Sequence, residues 1–152
     1  MRVLMVCLGN ICRSPMAEGV LRDIASREGL SIEVDSAGTA NYHVGEAPDP
    51  RAISCMREYN IDISCLSGRQ FTAADFHSFD HILVMDHSNL RNVLALAGNE
   101  YQRNKVKLLL DYSPNGAQRE VPDPWYGDMN DFHHVYRLLT ESLESFLKTV
   151  NY

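Results

Sequence analysis

The sequence predicts an α/β protein: an open, four-stranded parallel sheet with helices on both faces. Two observations carry this. Four short apolar runs alternate along the chain with segments whose apolar residues recur at helical spacing, the pattern of strands joined by helical crossovers. The length, 152 residues, suits one domain spanning 1–152, and 45% hydrophobic with 22% charged residues is an ordinary globular balance.

The elements follow in order. "RVLMV" (Arg2 to Val6) reads as a short buried strand. In "SPMAEGVLRDIASREG", Ser14 is expected as an N-cap and Pro15 in the first turn. Met16, Val20, Leu21 and Ile24 keep helical spacing, and Gly29 suits the stop. "SIEVD" (Ser31 to Asp35) is the second strand, and Ser36 to Pro48, rich in Gly and small polar residues, reads as a loop. Asp49 caps a helix with Pro50 in its first turn, running to about Tyr59. "TAAD" (Thr72 to Asp75) is a capping signal for another short helix. "HILVM" (His81 to Met85) is the third strand, followed by a helix through "NLRNVLALAG"; "KVKLLL" (Lys105 to Leu110) is the fourth. A segment crowded with Pro and Gly follows, "DYSPNGAQREVPDPWYGDMN". The last element places Phe132, Val135, Tyr136, Leu139, Leu143, Phe146 and Leu147 on one face, a strong amphipathic helix.

Composition excludes several function classes. The formal net charge is −6 without a Lys/Arg cluster, so no nucleic acid is expected as a partner. No apolar run reaches the ~20 residues needed to span a bilayer, and the N-terminal apolar run is too short for a signal peptide, so a cytoplasmic location is expected. Four cysteines do not make a secreted disulfide scaffold. The pairs Cys7/Cys12 and Cys55/Cys65 lack zinc-knuckle spacing, and the adjacent His133 and His134 point apart on a helix, so no metal is expected.

Chemistry gathers in "CLGNICRSP", Cys7 to Pro15. Open parallel sheets bind ligands beyond the carboxyl ends of their strands, and Cys7 sits at such an end. Arg13 follows six positions later. A loop wrapped between a strand and a helix N-terminus aims several backbone N–H groups at one point, and with the helix dipole these hold an oxyanion such as phosphate. Arg13 adds a planar clamp for two oxygens, and the same positive surroundings favour the thiolate of Cys7. A thiolate at the bottom of a phosphate cradle makes sense if sulfur attacks phosphorus. The loop lacks the Gly-Lys-Ser/Thr ending of a nucleotide-binding loop. Taken singly, Cys7 is a small buried residue, Arg13 a surface residue and Ser14 a helix cap; their joint occurrence points to a site.

"VCLGNICRSPMAEG" resembles the low-molecular-weight protein tyrosine phosphatases. The likeness continues through "DSAGTANYHVGEAPDPRAISCMREYNI", "FDHILVMDHSNLR", "DPWYGD" and "DFHHVY", covering nearly the whole chain in order. The resemblance implies a flavodoxin-like phosphatase fold and hydrolysis of phosphotyrosine in proteins, with no cofactor. It implies Cys7 as the nucleophile forming a phosphocysteine, Arg13 as the phosphate-binding and transition-state residue, and Asp123 as general acid and then base. Leu8, Gly9, Asn10, Ile11 and Cys12 would form the binding loop. Ser14 would hydrogen-bond the nucleophile, Ser36 would hold Asn10, and Tyr42, Trp125 and Tyr126 would wall the ring. Asn10 also suits a positive φ. Cys12, close to Cys7 in a curled loop, is expected to trap an oxidised Cys7 as a disulfide. One departure is Leu66, where many members carry a histidine of the network supporting the cradle. Protein-arginine phosphatases share the fold and typically carry Thr where this chain has Ile11. Thioredoxin-coupled arsenate reductases use a later cysteine pair, which Cys55 and Cys65 do not match. Phosphocysteine carrier domains of sugar transport need no general acid. Oligomeric state is open.

Overall fold

The computed structural model describes residues 1–116 and 120–152. Among them, four strands form one sheet: β1 (Arg2–Cys7), β2 (Glu33–Gly38), β3 (His81–Val84) and β4 (Val106–Leu108), in the order β2-β1-β3-β4. All neighbouring strands are parallel, with Leu4 of β1 opposite Asp35 on one side and Ile82 on the other. The connecting helices are α1 (Arg13–Glu28), α2 (Pro50–Arg57), α3 (Asp75–Ser78), α4 (His87–Leu94), α5 (Glu100–Arg103) and α6 (Met129–Thr149).

β1 is apolar on every residue from Val3 to Val6 because it lies between two covered faces, where no side chain meets water. Val3, Met5 and Cys7 enter the core beneath α1, α2 and α6, with Met16, Leu21, Phe132 and Phe146. Leu4 and Val6 enter the opposite core, with Phe71, Phe76, Phe79 and Val93 on the side of α3 and α4. The expected architecture is therefore the observed one. The order also fixes where a ligand fits. The chain leaves β1 toward β2 and later returns to β3 on its other side, which opens a crevice at the carboxyl end of β1.

Six of the seven expected apolar positions of α6 are fully buried; the seventh, Tyr136, is half-buried and stacks on Tyr59, ring centroids 3.6 Å apart. The helix starts two residues before the expected "DFHHVY", because Asp128 and Asp131 close a capping box. Asp49 caps α2 through Arg51 N, and Gly29 ends α1 at φ 66°, both as expected.

Other boundaries also differ from the sequence reading. Ser14 does not cap α1: the helix begins at Arg13, the Cys12 side chain at the cap makes no bond, and Ser14 is buried in the first turn. β2 continues through Ser36 and Ala37 to Gly38, because its ladder with β1 runs on to the Cys7–Gly38 pair; pairing overrides residues that look like loop. In "TAAD", Asp75 reaches back to Thr72 N (2.9 Å), half of a capping box, and α3 itself is Asp75–Ser78. The fourth strand is short, passing into a 3₁₀ turn at Leu109–Tyr112, and α5, capped by Asn99, was not anticipated. Of the Pro- and Gly-rich segment, residues 117–119 lie outside the described residues.

Candidate active site

The loop between β1 and α1 curls because its carbonyls are drawn outward. Cys7 O accepts from Thr39 N (2.9 Å), Leu8 O from Ala40 N (3.0 Å) and Ile11 O from Asp49 N (2.8 Å), while Cys12 O opens the α1 ladder by accepting from Met16 N (3.1 Å). Carbonyls engaged from outside the loop give the chain the curl that an anion-binding nest requires. The Asn10 N–H already donates to Cys7 Sγ at 3.3 Å, and Ser14 Oγ lies 3.0 Å from the same sulfur. Asn10 takes φ 58°, as expected. The missing cap on α1 fits this design, since a capping side chain would occupy the N–H groups that face the loop's interior.

Behind the loop a buried polar chain fixes Asn10. Its Oδ1 accepts from Arg69 N (3.0 Å), and its Nδ2 donates to Ser14 Oγ (2.8 Å) and Ser36 Oγ (2.9 Å). Asn10 and Ser14 thus stand behind the cavity, holding it, while Leu66 packs half-buried against the apolar core. Gly38 is required at the close of β2, where a Cβ would lie 2.7 Å from Leu8 O and 3.2 Å from Asn10 Cβ.

The Arg13 side chain is only 4% exposed and is anchored by Nη1, which donates to Asp86 Oδ2 (2.7 Å) and to the Val121 carbonyl (3.0 Å). Its Nη2 lies 3.7 Å from Asp123 Oδ2. Burial alone would lower the guanidinium pKa, but the Cys7 sulfur, Asp86 and Asp123 outweigh it and hold the group above its ordinary value. Asp123 begins a 3₁₀ turn at Pro124–Tyr126 and accepts from Trp125 N, which aims its carboxylate back toward Arg13.

These residues enclose one open cavity of about 240 Å³, lined by Cys7, Leu8, Gly9, Ile11, Cys12, Arg13, Asp123 and the rim aromatics Tyr42, Trp125 and Tyr126. Trp125 is 44% exposed and meets Tyr126 edge-on at 4.7 Å, whereas Tyr126 is 89% exposed at the outer lip. Ser36 stays behind, in the polar chain. Cys12 is buried beside Cys7, and burial, then Asp49, pushes its thiol far above the ordinary range. Cys55 is buried away from the cavity with its thiol pushed up to about 11, chiefly by burial; Cys65 is exposed. Among the described residues, no group of three or more His, Cys, Asp or Glu side chains is placed to hold a metal ion.

Sequence reasoning missed three residues here. Asp86, which fixes Arg13, was signalled by "MDHSN": an acidic cap directly after the third strand, with Asn89 completing a capping box. His43 lines the cavity, packs against Gly9 and pairs with Glu46; beside Tyr42 in a polar loop it carried no local signal. Glu18 is buried beneath the loop, bonded to Ser36, and reads in the sequence as an ordinary polar helix position.

Fold and site together define a class: an α/β protein whose first strand ends in a cysteine that lines a cavity with a buried arginine and an aspartate. The comparisons narrow it. The sequence pattern of the family described as low molecular weight phosphotyrosine protein phosphatase matches residues 2–152. The chain is 43% identical over 152 residues to the low molecular weight phosphotyrosine protein phosphatase of Sus scrofa, covering 97% of this chain and 94% of that protein. Among solved structures, a protein tyrosine phosphatase from Entamoeba histolytica superposes with a TM-score of 0.94 at 33% identity, covering 99% of this chain and 97% of that one. A drosophila arginine phosphatase matches with the same TM-score, 0.94, also at 33% identity, over 100% and 99% of the two chains. The chain belongs to the low molecular weight phosphotyrosine protein phosphatase family, and is a hydrolase of that kind.

Proposed function

We propose that the protein hydrolyses phosphotyrosine in proteins through a phosphocysteine intermediate on Cys7, with Arg13 binding phosphate and Asp123 as general acid and base. The observation that carries this is the cavity itself, which has Cys7 Sγ among its walls, with Arg13, Asp123 and aromatic side chains around it. The thiolate attacks phosphorus and the P–O bond to tyrosine breaks, its electron pair leaving with the phenolate oxygen. Asp123 protonates that oxygen. Water then attacks phosphorus, Asp123 takes a proton from it, and the P–S electron pair returns to sulfur as phosphate departs. Through both steps the loop N–H groups and the Arg13 fork meet the equatorial oxygens, where charge is spread.

Overall shape does not select the substrate, since a tyrosine and an arginine phosphatase superpose equally well. The rim does. Ile11 lines the cavity with an apolar, β-branched side chain, and Tyr42 and Trp125 flank it. Such a slot suits the faces of a phenyl ring and offers no acceptor to a guanidinium. Phosphoserine has too short a stem to reach Cys7 past these walls.

The test compares kcat/KM on three matched phosphopeptides. Phosphotyrosine should be far preferred to phosphoarginine and phosphoserine, Ile11→Thr should narrow the gap to phosphoarginine, and Cys7→Ser should abolish turnover. Cys55→Ser and Cys65→Ser should leave it nearly intact. A native preference for phosphoarginine would overturn the substrate reading, and equal losses from all three cysteine changes would overturn the nucleophile.

A further inference from the structure

We propose that Glu18 is a positioning residue for the nucleophile, acting on Cys7 through Ser36, Asn10 and Ser14 without touching substrate. This rests on the reading of Cys7 as nucleophile. Glu18 lies on α1, five residues beyond Arg13, and is only 2% exposed. A buried carboxylate carries a desolvation cost and persists where hydrogen bonds and charge offset it; here burial pushes its carboxyl up, opposed by Ser36 and Arg22, while Asp35 adds to the rise.

Each side of the carboxylate has a different task. Oε2 accepts from Arg22 Nη2 at 2.6 Å, and Arg22 also donates to the Val34 carbonyl at 2.9 Å, which ties α1 to β2. Oε1 accepts from Ser36 Oγ at 2.7 Å and so faces the loop. From there the donors run in one direction only. The Asn10 amide oxygen accepts the Arg69 N–H, so its NH2 group must face the two serines. One amide hydrogen goes to Ser36 Oγ at 2.9 Å, the other to Ser14 Oγ at 2.8 Å. Each serine then holds a single hydrogen. That of Ser36 goes to Glu18, and that of Ser14 is left for Cys7 Sγ, 3.0 Å away.

The carboxylate is the sink that gives this chain its polarity. Without an acceptor at position 18, the buried Ser36 hydroxyl has an unmatched hydrogen, and the oxygen that receives Asn10 is no longer held. Asn10 governs both donors to sulfur: its own backbone N–H, 3.3 Å from Sγ, and the hydroxyl of Ser14 that it fixes. A looser Asn10 therefore leaves the thiolate less stabilised and less well aimed, while Arg13 and the remaining N–H groups still bind phosphate.

A purely structural Glu18 would act through Arg22, and the two roles separate at Ser36. The experiment measures p-nitrophenyl phosphate turnover and the rate of Cys7 alkylation by iodoacetate, located by tandem mass spectrometry, on the full chain well below its melting temperature. Glu18→Ala and Ser36→Ala should each slow kcat and alkylation about tenfold, the scale of a hydrogen bond lost from a buried network, with KM changed less than about twofold. The double variant should lose no more than either single one, because both cut one path. Glu18→Gln keeps an acceptor oxygen and should recover to within about threefold of native. If Glu18→Ala does not fold, Ser36→Ala, which removes one hydroxyl, carries the test. Native kcat and alkylation in Ser36→Ala, or fully additive losses in the double variant, would overturn the inference while Cys7→Ser still abolishes turnover. Turnover that survives Cys7→Ser would remove the mechanism and this inference together.

Discussion

On the proposed mechanism Asp123 gives a proton to a leaving oxygen, yet it rests 3.7 Å from a guanidinium. In that mechanism, bound phosphate would resolve the conflict by engaging Arg13 and placing fresh negative charge between the two side chains. Asp123→Ala should slow phosphotyrosine hydrolysis by ~10²–10⁴-fold, a loss that shrinks as the leaving phenol becomes more acidic, measured across a series of aryl phosphates. An equal loss across the series would make the residue structural. Cys12 makes a different demand, since burial, and then Asp49, push its thiol above the ordinary range. Mild peroxide should oxidise Cys7 to a sulfenic acid, which the Cys12 sulfur then condenses with to a disulfide, releasing water. Thiol reductant should restore activity in native protein but less completely in Cys12→Ser; equal recovery removes this role. Cys7, Arg13 and Asp123 were legible because two compact motifs carry them. Asp86 was not, because its bond to Arg13 spans 73 residues and only the folded sheet brings them together. His43 and Glu18 were hidden for the same reason: their meaning lies in a neighbour from another element.

Strand β2 shows where local pattern misleads. "SAG" has the composition of a loop, but its place beside β1 makes it strand, and small residues are there because the binding loop passes over them. Gly38→Ala pushes a methyl group against Leu8 O and Asn10 Cβ, neither of which yields without moving the cradle. The variant should lose ~1–3 kcal/mol in denaturant unfolding and at least about tenfold in kcat/KM, a loss of transition-state stabilisation of at least about 1.4 kcal/mol. Native activity would show that the loop shifts freely. The first turn of α1 makes a related point. Ser14 had the residue type and the place of a cap, yet its hydroxyl lies against Cys7 Sγ and no side chain caps the helix. At Ser14 the pairing with Cys7 Sγ takes the place of a helix cap.

At the scale of the molecule, the sheet was readable because its central strand must be apolar throughout and its helices only on one side. Strand order was not written in any segment; it follows from how α1, α2 and α6 share one face and α3 and α4 the other. That order places the loop after β1 at the crevice. A consequence follows from the outward-turned carbonyls of the loop. On the proposed reading, a loop whose N–H groups meet phosphate would recognise a tetrahedral anion by shape and charge, whatever it was once attached to. Orthophosphate released in one cycle would then compete in the next, and the working rate in a phosphate-rich medium would depend on the product already present. Orthophosphate should raise the melting temperature steadily with its concentration and inhibit competitively with one constant. Cys7→Ser should keep the thermal shift while losing turnover. A melting temperature indifferent to phosphate would mean the cradle opens only when a complete substrate arrives.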